Sequence, residues 1–124
     1  MEQNKKSSEL EEVLSQTRKV ESELENEIKK LNNYNEIRDN IDSLTKKLNN
    51  CFELFRVSMK GPAVDDELED MENANVTFHK NARNYIETTI IDTRQKIEEF
   101  NSKKDKLQKK AKELSEKENK SKEQ

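Results

Sequence analysis

The sequence predicts an all-α fold, two long antiparallel helices forming a helical hairpin of coiled-coil type. Three observations carry this reading. Gly61 and Pro62 are the only glycine and the only proline in 124 residues, and they stand together at the midpoint. On both sides of them, apolar residues recur every three or four positions, the spacing of a helical stripe. Residues whose numbers add to about 124 tend to be apolar together, as expected of a chain folded back at Pro62.

The first helix is expected over about 8–60, after a polar segment at 1–7 that is expected to be disordered. Ser8 followed by Glu11 fits a capping box. The stripe then runs through Leu10, Val13, Thr17, Val20, Leu24, Ile28, Leu31, Tyr34 and Ile37. It continues through Ile41, Leu44, Leu48, Cys51 and Phe55. Cys51 is the sole cysteine, which excludes an intramolecular disulfide, and its place in the stripe predicts a small buried hydrophobe. Arg56 and Lys60 put positive charge on the last turn.

Met59, Lys60, Gly61 and Pro62 form the expected turn, which extends to about residue 65. Glycine is favoured just beyond a helix C-terminus, and proline cannot continue the helix that precedes it. The second helix is expected over about 66–115, with Asp65 or Asp66 as its cap. Glu67, Glu69 and Asp70 complement the dipole of its first turns.

Its stripe runs through Leu68, Met71, Asn75, Phe78, Ala82, Ile86, Ile90, Thr93, Ile97 and Phe100, then thins at Lys104, Leu107, Ala111 and Leu114. Asn75 and Lys104 interrupt the apolar series and are expected to set register. Residues 116–124 contain no apolar side chain and are expected to fray.

Folding about Pro62 sets Leu24 against Phe100, Ile28 against Ile97 and Leu10 against Leu114. Nearer the turn it sets Phe55 against Leu68, Phe52 against Met71, Leu44 near Phe78 and Ile41 near Ala82. Together with Leu48, Tyr85, Ile86 and Ile90, these residues define the expected seam and interface. The seam is thin, because only 29% of the chain is hydrophobic while 41% is charged. Leu14, Leu54, Val57, Val76, Tyr85 and Ile91 lie outside the main stripe and can meet a second partner. A hairpin with so little core is expected to complete a four-helix bundle with another helical chain.

The same composition excludes several classes of function. A net charge of −3, built from 24 basic and 27 acidic residues, lacks the basic excess of a nucleic-acid binder. Mean hydropathy is −1.29, and no run approaches the ~20 apolar residues of a membrane span. No segment resembles a signal peptide. His79 is the only histidine, with Glu72 and Glu87 at nearby helical distances, and one helix face cannot converge enough ligands for a metal.

Other candidates reduce to surface chemistry. The pairs Glu11/Glu12 and Glu98/Glu99 read as solvated carboxylates. The lysines at 103, 104, 106, 109, 110 and 112 are interleaved with Asp105 and Glu113 and lack aromatic neighbours for base stacking. The acidic run Asp65, Asp66, Glu67, Glu69, Asp70 and Glu72 reads as helix-start charge. No catalytic, cofactor-binding or metal-binding residue emerges, and no cofactor is expected. The aromatic and sulfur cluster Phe52, Phe55, Met59, Met71 and Phe78 is the most apolar part of the chain, closing the tip as core shared in part with a partner.

A long helix, a Met59-Lys60-Gly61 turn, and Phe78, Tyr85, Ile86 and Ile90 on a returning helix resemble the small helical hairpins of bacterial type VII secretion. The likeness is greatest to accessory proteins of LXG-type toxins, which carry a Trp-X-Gly turn. It spans about Leu24 to Leu114. This chain has no tryptophan, and no Tyr or Phe stands four residues before an acid in the family's manner: Tyr85 leads to Thr89 and Phe100 to Lys104.

The resemblance implies a non-enzymatic accessory protein that binds the helical targeting domain of a secreted toxin. Such a protein would be cytoplasmic before export and secreted without a cleaved signal peptide, with the export signal on its partner. The alternative is a self-associating coiled-coil scaffold or tether subunit of a larger assembly. In either reading the partner is a helical protein, in a hetero-oligomer or a homodimer, with no nucleic acid and no membrane insertion.

Overall fold

In the computed structural model the chain forms two helices, α1 (Glu2–Ser58) and α2 (Pro62–Glu123), packed against each other as a helical hairpin. The structure describes residues 2–59 and 61–123, with side chains over 8–59 and 61–120, and there is no strand among them. Lys60, one of the expected turn residues, lies outside the described residues, as do the side chains of 1–7. α1 starts before the expected 8–60 but ends at Ser58, and α2 extends beyond the expected 66–115 at both ends.

The turn differs from the sequence expectation in its chemistry. Gly61 does not take a positive φ, so it is not a left-handed cap on α1. Instead α1 keeps its helical bonding to the end, with Met59 N–H donating to Phe55 O at 2.7 Å. Gly61 faces forward: its carbonyl accepts from Asp65 N–H at 3.0 Å and opens α2. Pro62 is then the first helical residue, a position where a missing N–H costs nothing and a fixed φ is favourable. That is why α2 begins at Pro62 rather than beside an Asp cap at 65 or 66. Asp65 sits inside the first turn, where its charge meets the helix dipole.

The chain divides into two units, one of Met1–Lys30 with Thr93–Gln124, the other of Leu31–Asp92. In the first, Val13, Val20 and Leu24 are buried on α1. Thr17 lies among them, its hydroxyl donating to Val13 O at 2.8 Å, which satisfies the polar atom locally. On α2, Thr93 is buried, and Ile97, Phe100, Lys104, Leu107, Ala111 and Leu114 are half-buried at helical spacing. Lys104 interrupts that series and reaches Glu21 across the pair, Nζ to Oε1, at 3.8 Å.

The second unit holds the turn. Its buried apolar side chains are Leu68, Ile86 and Ile90, all on α2, with Ile90 the most enclosed. Ile41, Leu48 and Phe52 are half-buried opposite them on α1. Asn75 is as buried as these apolar residues. Its Nδ2 donates to Asn49 Oδ1 at 3.1 Å and to Thr45 O at 3.4 Å.

Candidate interaction surface

The two flanks of the hairpin seam in the Leu31–Asp92 unit differ in chemistry. One is polar. Asp42 accepts from Arg83 and, at 2.8 Å, from His79 Nε2. A carboxylate only accepts, so the Nε2 proton is the donated one. Arg38 reaches Glu87 at 3.7 Å, Arg83 reaches the same carboxylate at 3.5 Å, and Arg56 pairs with Glu72 at 2.6 Å. The Arg83 guanidinium, and after it His79, holds the Asp42 carboxyl below the usual carboxylate range. Asp42 in turn raises Arg83.

These contacts give the register directly. Partner numbers across the helices add to between 120 and 128, close to the 124 expected from the sequence.

The other flank is apolar and uncovered. Ile37, Leu44 and Cys51 on α1 are spaced by seven and all exposed. On α2, Val64, Met71, Phe78 and Tyr85 are also spaced by seven, with Val64 half-buried and the other three exposed. Residues seven apart stay on one face of a supercoiled helix. Ile37 and Tyr85, Leu44 and Phe78, and Cys51 and Met71 each add to 122, within the observed register. The polar row Asp42, Asn49 and Arg56 is displaced by five residues from Ile37, Leu44 and Cys51. Five residues turn a helix through about 140°, which puts the two rows on opposite flanks of α1. Arg83 stands in the same relation to Phe78 on α2.

Near the turn, the apolar flank opens into a cavity of about 200 Å³ lined by Phe55, Met59, Val64, Glu67, Leu68 and Met71. Leu68 is its floor, since it is buried while Phe55, Met59 and Met71 are exposed.

The expected seam residues thus separate into two sets. Leu24, Leu68, Ile86 and Ile90 are buried, and Ile41, Leu48, Phe52, Ile97 and Phe100 are half-buried. Ile28, Leu44, Phe55, Met71, Phe78 and Tyr85 are exposed. Of the turn residues, Met59 is exposed, Gly61 is half-buried and Pro62 exposed. Cys51 is exposed rather than buried, because Phe52 takes the inward position after Leu48 and leaves Cys51 in the exposed row with Leu44. His79 pairs with Asp42 across the seam and not with Glu72 or Glu87 on its own helix. Asp42, Asn49 and Arg83 were missed by pattern reading. Their signal was the register itself, which places Asp42 opposite Arg83 once the fold point is known.

Among the described residues, no group of three or more His, Cys, Asp or Glu could hold a metal ion. No helix is long and apolar enough to cross a membrane.

Comparison with known proteins adds one family. Residues 1–51 match the model of the Swi5 family, which takes in α1 as far as Cys51 and none of α2. No curated protein and no solved structure matches the chain. The match overturns the resemblance to type VII secretion hairpins, since Swi5 is unrelated to those accessory proteins. That resemblance rested on helical architecture, which unrelated hairpins share. The expectation of export falls with it, because Swi5 proteins belong to a nuclear DNA-repair complex and are not secreted. Over its first 51 residues the chain is similar to the Swi5 family, whose members are helical, non-catalytic subunits of a protein complex.

Proposed function

We propose that this chain is a non-enzymatic coiled-coil subunit of a protein complex, joined to partner helices through the apolar flank of its hairpin. One observation carries the reading: two exposed heptad rows lie side by side at the hairpin register, Ile37, Leu44 and Cys51 next to Met71, Phe78 and Tyr85. A third helix laid along them would bury both rows and extend the seam into a bundle. Aromatic residues and Met are the types enriched at protein interfaces. The opposite flank has its ionic groups paired within the hairpin, so it has less to offer a partner.

The Swi5 likeness of residues 1–51 supports the assembly as a DNA-repair complex. The chain would act there as a scaffold, ordering other subunits rather than doing chemistry.

A second reading, self-association through the same flank, is favoured by the lack of charge along both rows. Two copies could face each other without repulsion and form a four-helix bundle. Light scattering on the purified chain at micromolar concentration separates the two. A homodimer supports self-association, whereas a monomer that gains mass only with a co-expressed helical subunit supports the hetero-complex. An assembly unaffected by Leu44→Lys with Phe78→Lys contradicts both.

A further inference from the structure

The cavity at the turn end of the apolar flank has a charge as well as a shape. Phe55, Met59, Val64 and Met71 form its walls over Leu68, and Glu67 stands at its edge. At about 200 Å³ it is below the size range of small-molecule sites and suits one bulky apolar side chain inserted as an anchor. Thioether side chains in two of its walls adapt readily to different occupants.

Around it acids predominate. Between Val57 and Asn75 the sequence carries six acids, Asp65, Asp66, Glu67, Glu69, Asp70 and Glu72, against the single base Lys60. Glu72 is neutralised by Arg56 at 2.6 Å. The other five carboxylates have no ion pair among the described residues. Dipole complementarity accounts for acids in the first turn of α2 and fades beyond it, leaving Glu69 and Asp70 without a local role.

We infer that the hairpin tip is a docking site for a basic amphipathic helix of a partner protein, one bulky apolar side chain filling the cavity and flanking Lys or Arg residues meeting Glu67 and Asp70. Charge complementarity selects this occupant, since an acidic or neutral helix with the same anchor would leave the carboxylates unanswered. The inference rests on the reading of the apolar flank as an interface and adds what the partner's helix must carry at the turn end.

The test uses the full chain and two synthetic amphipathic helices of three heptads, with leucine on one face and either lysine or glutamate on the other. Fluorescence anisotropy is expected to show binding of the lysine peptide, with the glutamate peptide weaker by about tenfold or more. Raising salt from about 0.05 M to about 0.5 M should weaken the lysine peptide severalfold. Glu67→Lys with Asp70→Lys should remove the preference.

Met59→Glu separates anchoring from attraction by charge alone: it makes the tip more acidic while spoiling the cavity, and it should reduce binding of the lysine peptide. Equal binding of the two peptides, no binding of either, or lysine-peptide binding undiminished by Met59→Glu overturns the inference. Displacement of the peptide by rising concentrations of the chain itself makes a second copy the occupant, and overturns it too. Failure here leaves the flank reading standing, because Met59 and Glu67 lie outside the Leu44 and Phe78 rows, whose variants test that reading separately.

Discussion

The side-chain amide of Asn75 donates to Asn49 Oδ1 at 3.1 Å, joining the two helices through a residue only 6% exposed. A buried amide with a cross-helix partner permits one alignment of the pair and makes slipped alignments leave it unsatisfied. Asn75→Ala should destabilise the hairpin by about 1–2 kcal/mol, seen as a lower melting temperature by circular dichroism. Asn75→Leu should instead keep or raise the melting temperature while admitting more than one alignment. Amide hydrogen exchange reads this as lost protection spread over the seam.

Asp42 makes the polar flank sensitive to acid. Its carboxyl is held below the ordinary carboxylate value, first by Arg83 and then by His79. A depressed folded-state value means the contribution is present above the unfolded value of about 3.9 and is lost as pH falls through the folded one. Asp42→Asn should therefore change stability at neutral pH slightly, as expected of an exposed network, and flatten the loss seen below about pH 4. Thermal melts of both proteins from neutral pH down to about 3 measure it.

Two residues five apart on α2 should respond in opposite ways. Ile90 is 1% exposed and Tyr85 is 76% exposed. Ile90→Ala leaves a cavity in the seam and should cost about 2–5 kcal/mol. Tyr85→Ala should change the stability of the isolated hairpin by less than about 0.5 kcal/mol yet weaken the assembled state. Urea unfolding with and without assembly distinguishes the two effects. Equal costs in the isolated chain would show that Tyr85 belongs to the core.

Much of the hairpin was legible from residue types alone, since a single Gly61–Pro62 break between two periodic stripes leaves few alternatives. The register was legible too, because apolar residues pair about a fixed sum. The division of the stripe into core and flank was not. Spacings of three and four accept Leu44 and Leu48 equally, and the two differ by only about 40° in direction around the helix. Only the partner helix decides which is inward, and it chose Leu48. Cys51 was misread for the same reason. The polar flank was hidden for another, because Asp42, His79 and Arg83 look like ordinary surface residues until the fold brings them together.

Cys51 offers a direct report on its flank. As an exposed thiol it should react readily with a maleimide in the dissociated chain. On assembly the reaction should slow by about tenfold or more, since a helix laid beside Leu44 and Met71 covers it. Mass spectrometry after timed quenching gives both rates. Equal rates in the two states would place the interface elsewhere.

The measurement closest to the central claim is the molar mass of the assembly for three versions of the chain. Leu44→Lys with Phe78→Lys charges the two facing rows, while Leu54→Lys with Val57→Lys charges two residues that are more exposed (67% and 76%) and outside them. The account predicts that the first pair reduces the assembly to the 14.7 kDa chain with helicity retained, and that the second leaves its mass unchanged. An assembly that survives Leu44→Lys with Phe78→Lys, or dissociates equally with both pairs, would contradict it.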